Sequence, residues 1–511
     1  MNLLKSLISV SFMTLISRIL GFVRDILIAS IFGASMFTDA FFISFKIPNL
    51  LCRIFSDGAF SQAFIPVLME YKTNENKKNL QDFISSISSF MIFFLFLITI
   101  LGMFFSQFVI SISAPGFSKI PEKLILSANL LTIMFPYILL ISLSSFFSSI
   151  LNSWNYFSIP AFSPIFLNIS IIIFSIFFST FFNPSIISLA WAVIIGGLIQ
   201  CCYQLPFLYK INMLVIPNFR WNNIGLLRVL RKMGPAILGA SANQVSLIIN
   251  TIFSSLLNAG SISWIYYADR LIEFPVGILG VSLSTILFSS LTKNYKNGVI
   301  SEYKKIFNWG FRISLILSLP TAAIIFFLST PIITVLFQYG KFTDIDVLMT
   351  GTSLKLYSFG LISFILVKIL ASAFYACEEI NTPMKISLFT LVLTQLMNPF
   401  FVFYFKHAGL ALSISISSWI NFLLLYWKLH RRKIISFTYK ELIFIIHIIL
   451  STLVMIIILF FILHMMPLWN IGSFFNKMIR LFLVLLVSGI VYFLMLNFLG
   501  VRLLSFSYKF S

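Results

Sequence analysis

Apolar stretches long enough to cross a bilayer, about 20 residues each, recur from one end of the chain to the other with short polar connections between them. About fourteen are read, at approximately 7–32, 37–68, 83–112, 125–151, 159–181, 185–209, 233–257, 263–291, 306–328, 352–376, 384–405, 408–429, 441–465 and 478–500. The longest polar stretch, about 210–232, leaves no room for a soluble domain. The pattern predicts an all-α polytopic membrane protein of about 14 transmembrane helices. Pro48, Pro66, Pro136, Pro275 and Pro320 fall inside predicted spans. Each removes a backbone donor and predicts a kink or break.

The pattern also repeats. Lys46-Ile47-Pro48 in the second span matches Glu273-Phe274-Pro275 in the eighth, 227 residues later. The Asn155–Pro160 connection matches Glu378–Pro383 in position, 223 later, and Ser188-Leu189-Ala190-Trp191 matches Gly409-Leu410-Ala411-Leu412, 221 later. Three anchors in order at a near-constant offset predict two six-helix repeats, 1–209 and 233–429, around a central cavity. The offset spans an even number of helices, so the repeats share one topology and an axis along the membrane normal. Residues 210–232 form a basic cytoplasmic linker, and 430–511 add two helices.

Composition agrees: 59% of the 511 residues are hydrophobic, and 10% are charged, against about 25% in soluble domains. Mean hydropathy is +1.02. The net charge of +20 would suggest nucleic acid in a soluble protein; here the positive-inside rule accounts for most of it. Alternate connections hold Lys72, Lys77 and Lys78; Lys210, Arg220, Arg228, Arg231 and Lys232; Lys293, Lys296, Lys304 and Lys305; and Lys428, Arg431, Arg432, Lys433 and Lys440. The opposite connections hold Lys119, Lys123, Lys341, Lys406 and Lys477. Both termini are therefore expected in the cytoplasm, and the first apolar run, interrupted by arginines, is expected to be an uncleaved helix. Cys52, Cys201, Cys202 and Cys377 lack metal or redox spacing, and the four histidines are scattered.

The charges left at span depth change the picture. An arginine at the centre of a membrane helix costs about 3 kcal/mol on insertion scales, so it marks a protein interior or a wet cavity. Arg18 and Arg24 lie in the first span, where Ser11, Thr14, Arg18, Gly21 and Asp25 form one helical stripe. Asp39, Lys46 and Arg53 share a face of the second span, with Asp57 within reach of Arg53. Asp269, Arg270 and Glu273 cluster in the eighth, and Lys368 sits alone in the tenth.

Two readings of this set stand. The acids can neutralise the bases and merely hold helices together, or the bases can line a chamber for an anion. Buried ion pairs stabilise poorly compared with apolar packing, so the number of charges favours the chamber. Arg24 is expected to be the leading ligand, because adjacent Asp25 projects elsewhere on the helix. Arginine suits phosphate through its two parallel charge-assisted bonds. No catalytic constellation, P-loop, cofactor motif or metal-ligand spacing is present in the sequence. The reading is therefore a transporter rather than an enzyme.

These residues also carry a resemblance. Ser17–Asp25 (SRILGFVRD), Thr38–Phe42 (TDAFF), Lys46–Leu51 (KIPNLL), Gly58–Pro66 (GAFSQAFIP), Gly234–Gly239 (GPAILG), Tyr266–Leu271 (YYADRL) and Phe337–Phe342 (FQYGKF) closely resemble the MurJ/MviN family. The resemblance runs the full length. It implies lipid II flippases of the multidrug/oligosaccharidyl-lipid/polysaccharide exporter superfamily, with fourteen helices, two lobes and a lipid-tail groove formed with the last two. It implies alternating-access transfer of the undecaprenyl-pyrophosphate-linked peptidoglycan precursor across the inner membrane. The family's cavity arginines fall on Arg18, Arg24 and Arg270, and Lys46, Arg53 and Lys368 match further family positions. Asp39 and Asp57 match its functional acids; Asp25, Asp269 and Glu273 are grouped with them as cavity acids. Peptidoglycan-synthesis proteins follow as candidate partners; nucleic acid does not. One departure is Cys52, where relatives often carry a second basic residue beside Arg53. A drug/cation antiporter, or another polyprenyl-linked saccharide exporter of the same superfamily, is the alternative; an antiporter calls for an acid-lined cavity. The power source stays open between membrane potential, protons and sodium.

Overall fold

The computed structural model describes residues 3–54, 60–218, 223–432, 434 and 439–501, and every regular element among them is helical. The chain divides into two compact units, Met1–Ser263 and Trp264–Ser511.

The first unit contains α1 (Leu3–Phe32), α2 (Met36–Cys52), α3 (Ser61–Asn74), α4 (Lys77–Phe104), α5 (Ser106–Ser113), α6 (Pro121–Met134), α7 (Tyr137–Ser153), α8 (Ser158–Phe162), α9 (Pro164–Ile173), α10 (Ile187–Lys210) and α11 (Ile224–Ser255). In it α1 packs on α8 and α9, α2 on α6 and α7, and α10 on α7 and α9. Its core is aromatic: Phe60 stacks on Phe64 at 5.0 Å, and Phe64 on Phe83 at 5.8 Å. The second unit begins within α12 (Ser261–Pro275) and continues through α13 (Ser282–Lys296), α14 (Ile300–Phe337), α15 (Asp344–Ala376), α16 (Asn381–Phe405), α17 (His407–Arg431), α18 (Tyr439–Met465) and α19 (Phe474–Phe498). Here α15 is central, with α13, α14 and α17 around it, while α18 and α19 pair and lean on α14.

Among the described residues, 11 helical segments are long and apolar enough to cross a membrane. They coincide with eleven of the predicted spans. The other three predicted spans are helical where described, and they carry charges. α1 carries Arg18, Arg24 and Asp25; α11 opens with Arg228, Arg231 and Lys232; and α2 carries Asp39 and Lys46. In the second predicted span wide helical turns follow α2 at Arg53–Ile54 and precede α3 at Phe60, with Asp57 outside the described residues.

Prolines differ in effect. Pro136 separates α6 from α7, and Pro275 leads into a wide helical turn at Val276–Val281, whereas Pro48, Pro66 and Pro320 sit inside continuous helices. α11 starts well before the predicted 233 because the Asn223 side chain accepts from Gly225 N at 2.8 Å and caps it. The preceding extended stretch is tied to α4: Ser85 Oγ donates to Ile216 O and Ser89 Oγ to Asn218 O, at 2.7 and 2.8 Å.

Lipid tails are as apolar as leucine, so membrane helices associate through close packing of small residues and through hydrogen bonds. The α15–α17 seam is built this way. Ser353, Ser358, Ser363, Ser413, Ser415 and Ser417 are buried. Ser415 Oγ donates to Leu356 O at 2.8 Å, and Trp419 Nε1 to Phe359 O at 2.9 Å. A Cβ on Gly360 would lie 2.6 Å from Ser415 Oγ and 2.8 Å from its Cα. Beyond the spans, Arg432 donates to Glu379 through Nη2 at 2.7 Å and pulls that carboxyl below its ordinary pKa, tying the end of α17 to the turn before α16.

Gly360→Val is expected to lower the melting temperature of the purified protein, at a cost of about 1–3 kcal/mol for overpacking. Gly489→Ala, where a Cβ meets nothing within 4 Å, is the control and should leave it unchanged or raised. Equal melts for the two variants would contradict this packing.

Candidate functional site

The first group lies on α1. Arg24 is 5% exposed. Its Nε and Nη2 donate to Asp25 Oδ1 at 3.0 and 2.8 Å, and its Nη1 to Asn168 Oδ1 of α9 at 3.0 Å. Asn168 Nδ2 in turn donates to Ser17 O at 3.1 Å. This overturns the expectation that Asp25 leaves Arg24 unshielded. Adjacent helical residues project about 100° apart, but the flexible arginine stem curls back and closes the pair. Gly21 faces the same asparagine, with a notional Cβ 3.6 Å from Asn168 Nδ2, so α9 rather than a ligand occupies that gap. Arg18 is exposed, and among the described residues it has no ion pair or hydrogen bond.

The second group centres on α2. Asp39 is fully buried and accepts four bonds: Lys123 Nζ at 3.1 Å, Gly260 N at 2.7 Å, Ser263 N at 3.0 Å and Ser263 Oγ at 2.8 Å. Thr38 Oγ1 lies 3.0 Å from Ser263 Oγ. The carboxylate thus caps the first turn of α12 from another helix, where the positive end of the helix dipole favours it. Lys123 had been counted as a connection charge. It is instead 3% exposed on α6, with its ammonium 4.1 Å from the Phe117 ring centroid. The expected common face of α2 therefore grades outward. Asp39 is sealed, Lys46 is half-buried and donates to Thr251 Oγ1 of α11 at 2.7 Å, and Arg53 is exposed.

The third group lies in the second unit. Arg270 pairs with Glu273 at 2.9 Å, its Nε reaches Tyr266 Oη at 3.4 Å, and its guanidinium lies 5.5 Å from that ring. Both charged side chains stay accessible, and Asp269 is exposed beside them. Lys368 on α15 is half-buried, its stem running past Gly280 in the wide turn after Pro275.

Several residues escaped sequence reasoning. Lys123, Asn168, Thr251 and Ser263 meet their partners across long sequence separations, and nothing local marks them. In the second unit Trp264 Nε1 donates to Asp346 Oδ1 at 2.8 Å, and His407, its ring tilted against Trp264 at 5.0 Å, bonds Met349 O at 2.8 Å. The Thr343–Asp346 capping box was a readable signal for part of that cluster.

Asp39→Asn is expected to cost about 3–5 kcal/mol, because it strands the Lys123 ammonium in the interior. The Asp39→Asn/Lys123→Met pair should recover part of that loss in thermal melts. A single-variant loss under about 1 kcal/mol, the scale of an exposed pair, would reject the buried tie.

A family model described as "Lipid II flippase MurJ" matches residues 28–480. A protein of Buchnera aphidicola subsp. Acyrthosiphon pisum, "Probable lipid II flippase MurJ", is 78% identical over 509 residues, covering 100% of both chains. The "Lipid II flippase MurJ" of Burkholderia cenocepacia is 42% identical over 438 residues, 85% of each chain. Among solved structures, "Lipid II flippase MurJ, inward closed conformation" superposes with a TM-score of 0.81 at 28% identity, covering 96% of this chain and 98% of that one. An inward-facing multidrug resistance MATE transporter superposes at 0.65 and 14% identity, covering 82% and 96%, a likeness of fold alone. On the match across most of its length and on these identities, the chain belongs to the lipid II flippase MurJ family.

Proposed function

We propose that this chain moves lipid II, the undecaprenyl-pyrophosphate-linked peptidoglycan precursor, across the bacterial cytoplasmic membrane by alternating access, without catalysis. The family supports the substrate; the cations support the chemistry. Arg18, Arg24, Arg270, Arg53, Lys46 and Lys368 are assigned to the diphosphate and its approach. Repeats 1–209 and 233–429 rock around it, 210–232 is the cytoplasmic linker, and 430–511 guide the polyprenyl tail. Asp25, Asp39, Asp57, Asp269 and Glu273 are assigned to gating, because ties such as Asp39 to α12 are what a rocking motion must exchange.

The observation that carries this reading is Arg18. It sits mid-helix in α1, exposed, with no ion pair or hydrogen bond among the described residues. A guanidinium in that state is expensive against lipid and useful against a wet chamber. One turn and a half further on, Arg24 is bound up with Asp25 and Asn168. The order of the two arginines as ligands is thereby reversed: Arg18 leads, and Arg24 serves the substrate only if its pair opens. The antiporter alternative keeps only fold likeness in its favour. Peptidoglycan-synthesis proteins as physical partners, and cytoplasmic placement of both termini, belong to the same proposal.

Arg18→Ala is expected to reduce lipid II flipping in proteoliposomes at least about tenfold, the scale of one lost charge-assisted contact, with the melting temperature unchanged. Arg24→Ala should lower activity and melting temperature together, since it strands Asp25. Wild-type flipping by a folded Arg18→Ala protein refutes the site assignment. For the termini, a carboxy-terminal fluorescent protein should glow and a periplasm-dependent phosphatase fusion should stay inactive; the reverse pattern overturns the orientation.

A further inference from the structure

Lys477 and Arg480 lie three residues apart near the amino-terminal end of α19, on one face of the helix. Lys477 is 5% exposed, and its ammonium lies 5.4 Å from the centroid of the Tyr339 ring. Arg480 Nη1 is buried without a hydrogen-bond partner. Among the described residues neither side chain has an ion pair. Asp344, in the turn region that also holds Tyr339, accepts from Gln338 instead. Gly472, at φ 110°, closes the other side: a Cβ there would lie 2.9 Å from Arg480 Nη2. Ser473 caps the helix, accepting from Asn476 N at 3.4 Å.

Two cations without counter-charge, beside a helix N-terminus that is itself positive, cost heavily in apolar surroundings. An arginine near a span end would ordinarily snorkel to the interface. The orphaned Nη1 of Arg480 and the burial of Lys477 oppose that. An oxyanion offsets all three positive features at once: the guanidinium fork suits two phosphate oxygens, and the ammonium supplies a point charge.

We propose that Lys477 and Arg480, with the N-terminus of α19, form a binding site for a phosphate group, separate from the Arg18–Arg270 set and independent of which lipid the chain transports. The same chemistry is offered by an anionic phospholipid headgroup and by free phosphate. Exposed Phe475, Ile471 and Ile479 at the same end give acyl chains a surface beside the headgroup.

The test uses the full chain in nanodiscs, with native mass spectrometry to count retained lipid. The wild type should retain phosphatidylglycerol over phosphatidylcholine, and Lys477→Gln/Arg480→Gln should lose at least about tenfold of that preference. Lys477→Arg/Arg480→Lys should keep it. In pure phosphatidylcholine discs, a rise of the wild-type melting temperature with inorganic phosphate, absent in the double Gln variant, would identify the free anion as the source. Identical behaviour of wild type and double Gln variant in both arms overturns the site. Should that variant fail to fold, Lys477→Met decides: without anion it should melt higher than the wild type, since an uncompensated buried charge is gone. An equal or lower melting temperature overturns the proposal.

Discussion

A charge buried away from water must find its counter-charge and hydrogen bonds inside the protein, because apolar surroundings offer neither. Asp39 meets that condition fully. Lys123 supplies the charge; Gly260 N, Ser263 N and Ser263 Oγ complete the shell. The consequence is architectural. α2 is fastened to α6 through an ion pair and to the first turn of α12 through two backbone amides. Replacing such a cluster by apolar side chains would be no less stable in principle. What the cluster provides is a joint with discrete states, since half of its bonds cannot be released without orphaning the rest.

The same accounting sorts the arginines. A guanidinium that satisfies an internal carboxylate and an asparagine, as Arg24 does, has little left for a substrate in this state of the molecule. One without such ties, as Arg18 is among the described residues, keeps its donors. Carriers need both kinds. A substrate held equally well in every state shifts no conformational equilibrium, however tightly it binds. Differential affinity arises when an internal tie and a substrate compete for the same cation. Arg24–Asp25 and Arg270–Glu273 have the form of such exchangeable ties: short pairs, the first buried and the second still accessible.

Eleven spans were legible because each is a long run of apolar residues, and hydropathy alone fixes them. Two of the other three hold Arg18, Arg24, Asp39, Lys46 and Arg53. They were still readable as elements, but the wide turns at Arg53–Ile54 and the early start of α11 were not. That early start depends on a single capping asparagine. Candidate cations could be named from depth and helical spacing. Their partners could not. Asn168 is 144 residues from Arg24, and Lys123 is 84 from Asp39; no periodicity spans such distances. Lys123 was misplaced for a further physical reason: a lysine just inside a helix beside a short connection reads as a loop charge until its partner is seen.

Those long separations bear on how the bundle assembles. Alone in lipid, α1 would hold two guanidiniums against one carboxylate. Arg24 can close onto Asp25 at once, since the two are adjacent, but its third bond and the shield over Ser17 O both come from α9. Asp39 has no such local partner among its four bonds: Lys123 must arrive with α6 and Ser263 with α12. The second helix therefore gains its full stability only once the chain has been made past residue 263. The charged spans of the first unit thus complete their bonds only with helices made far later in the chain.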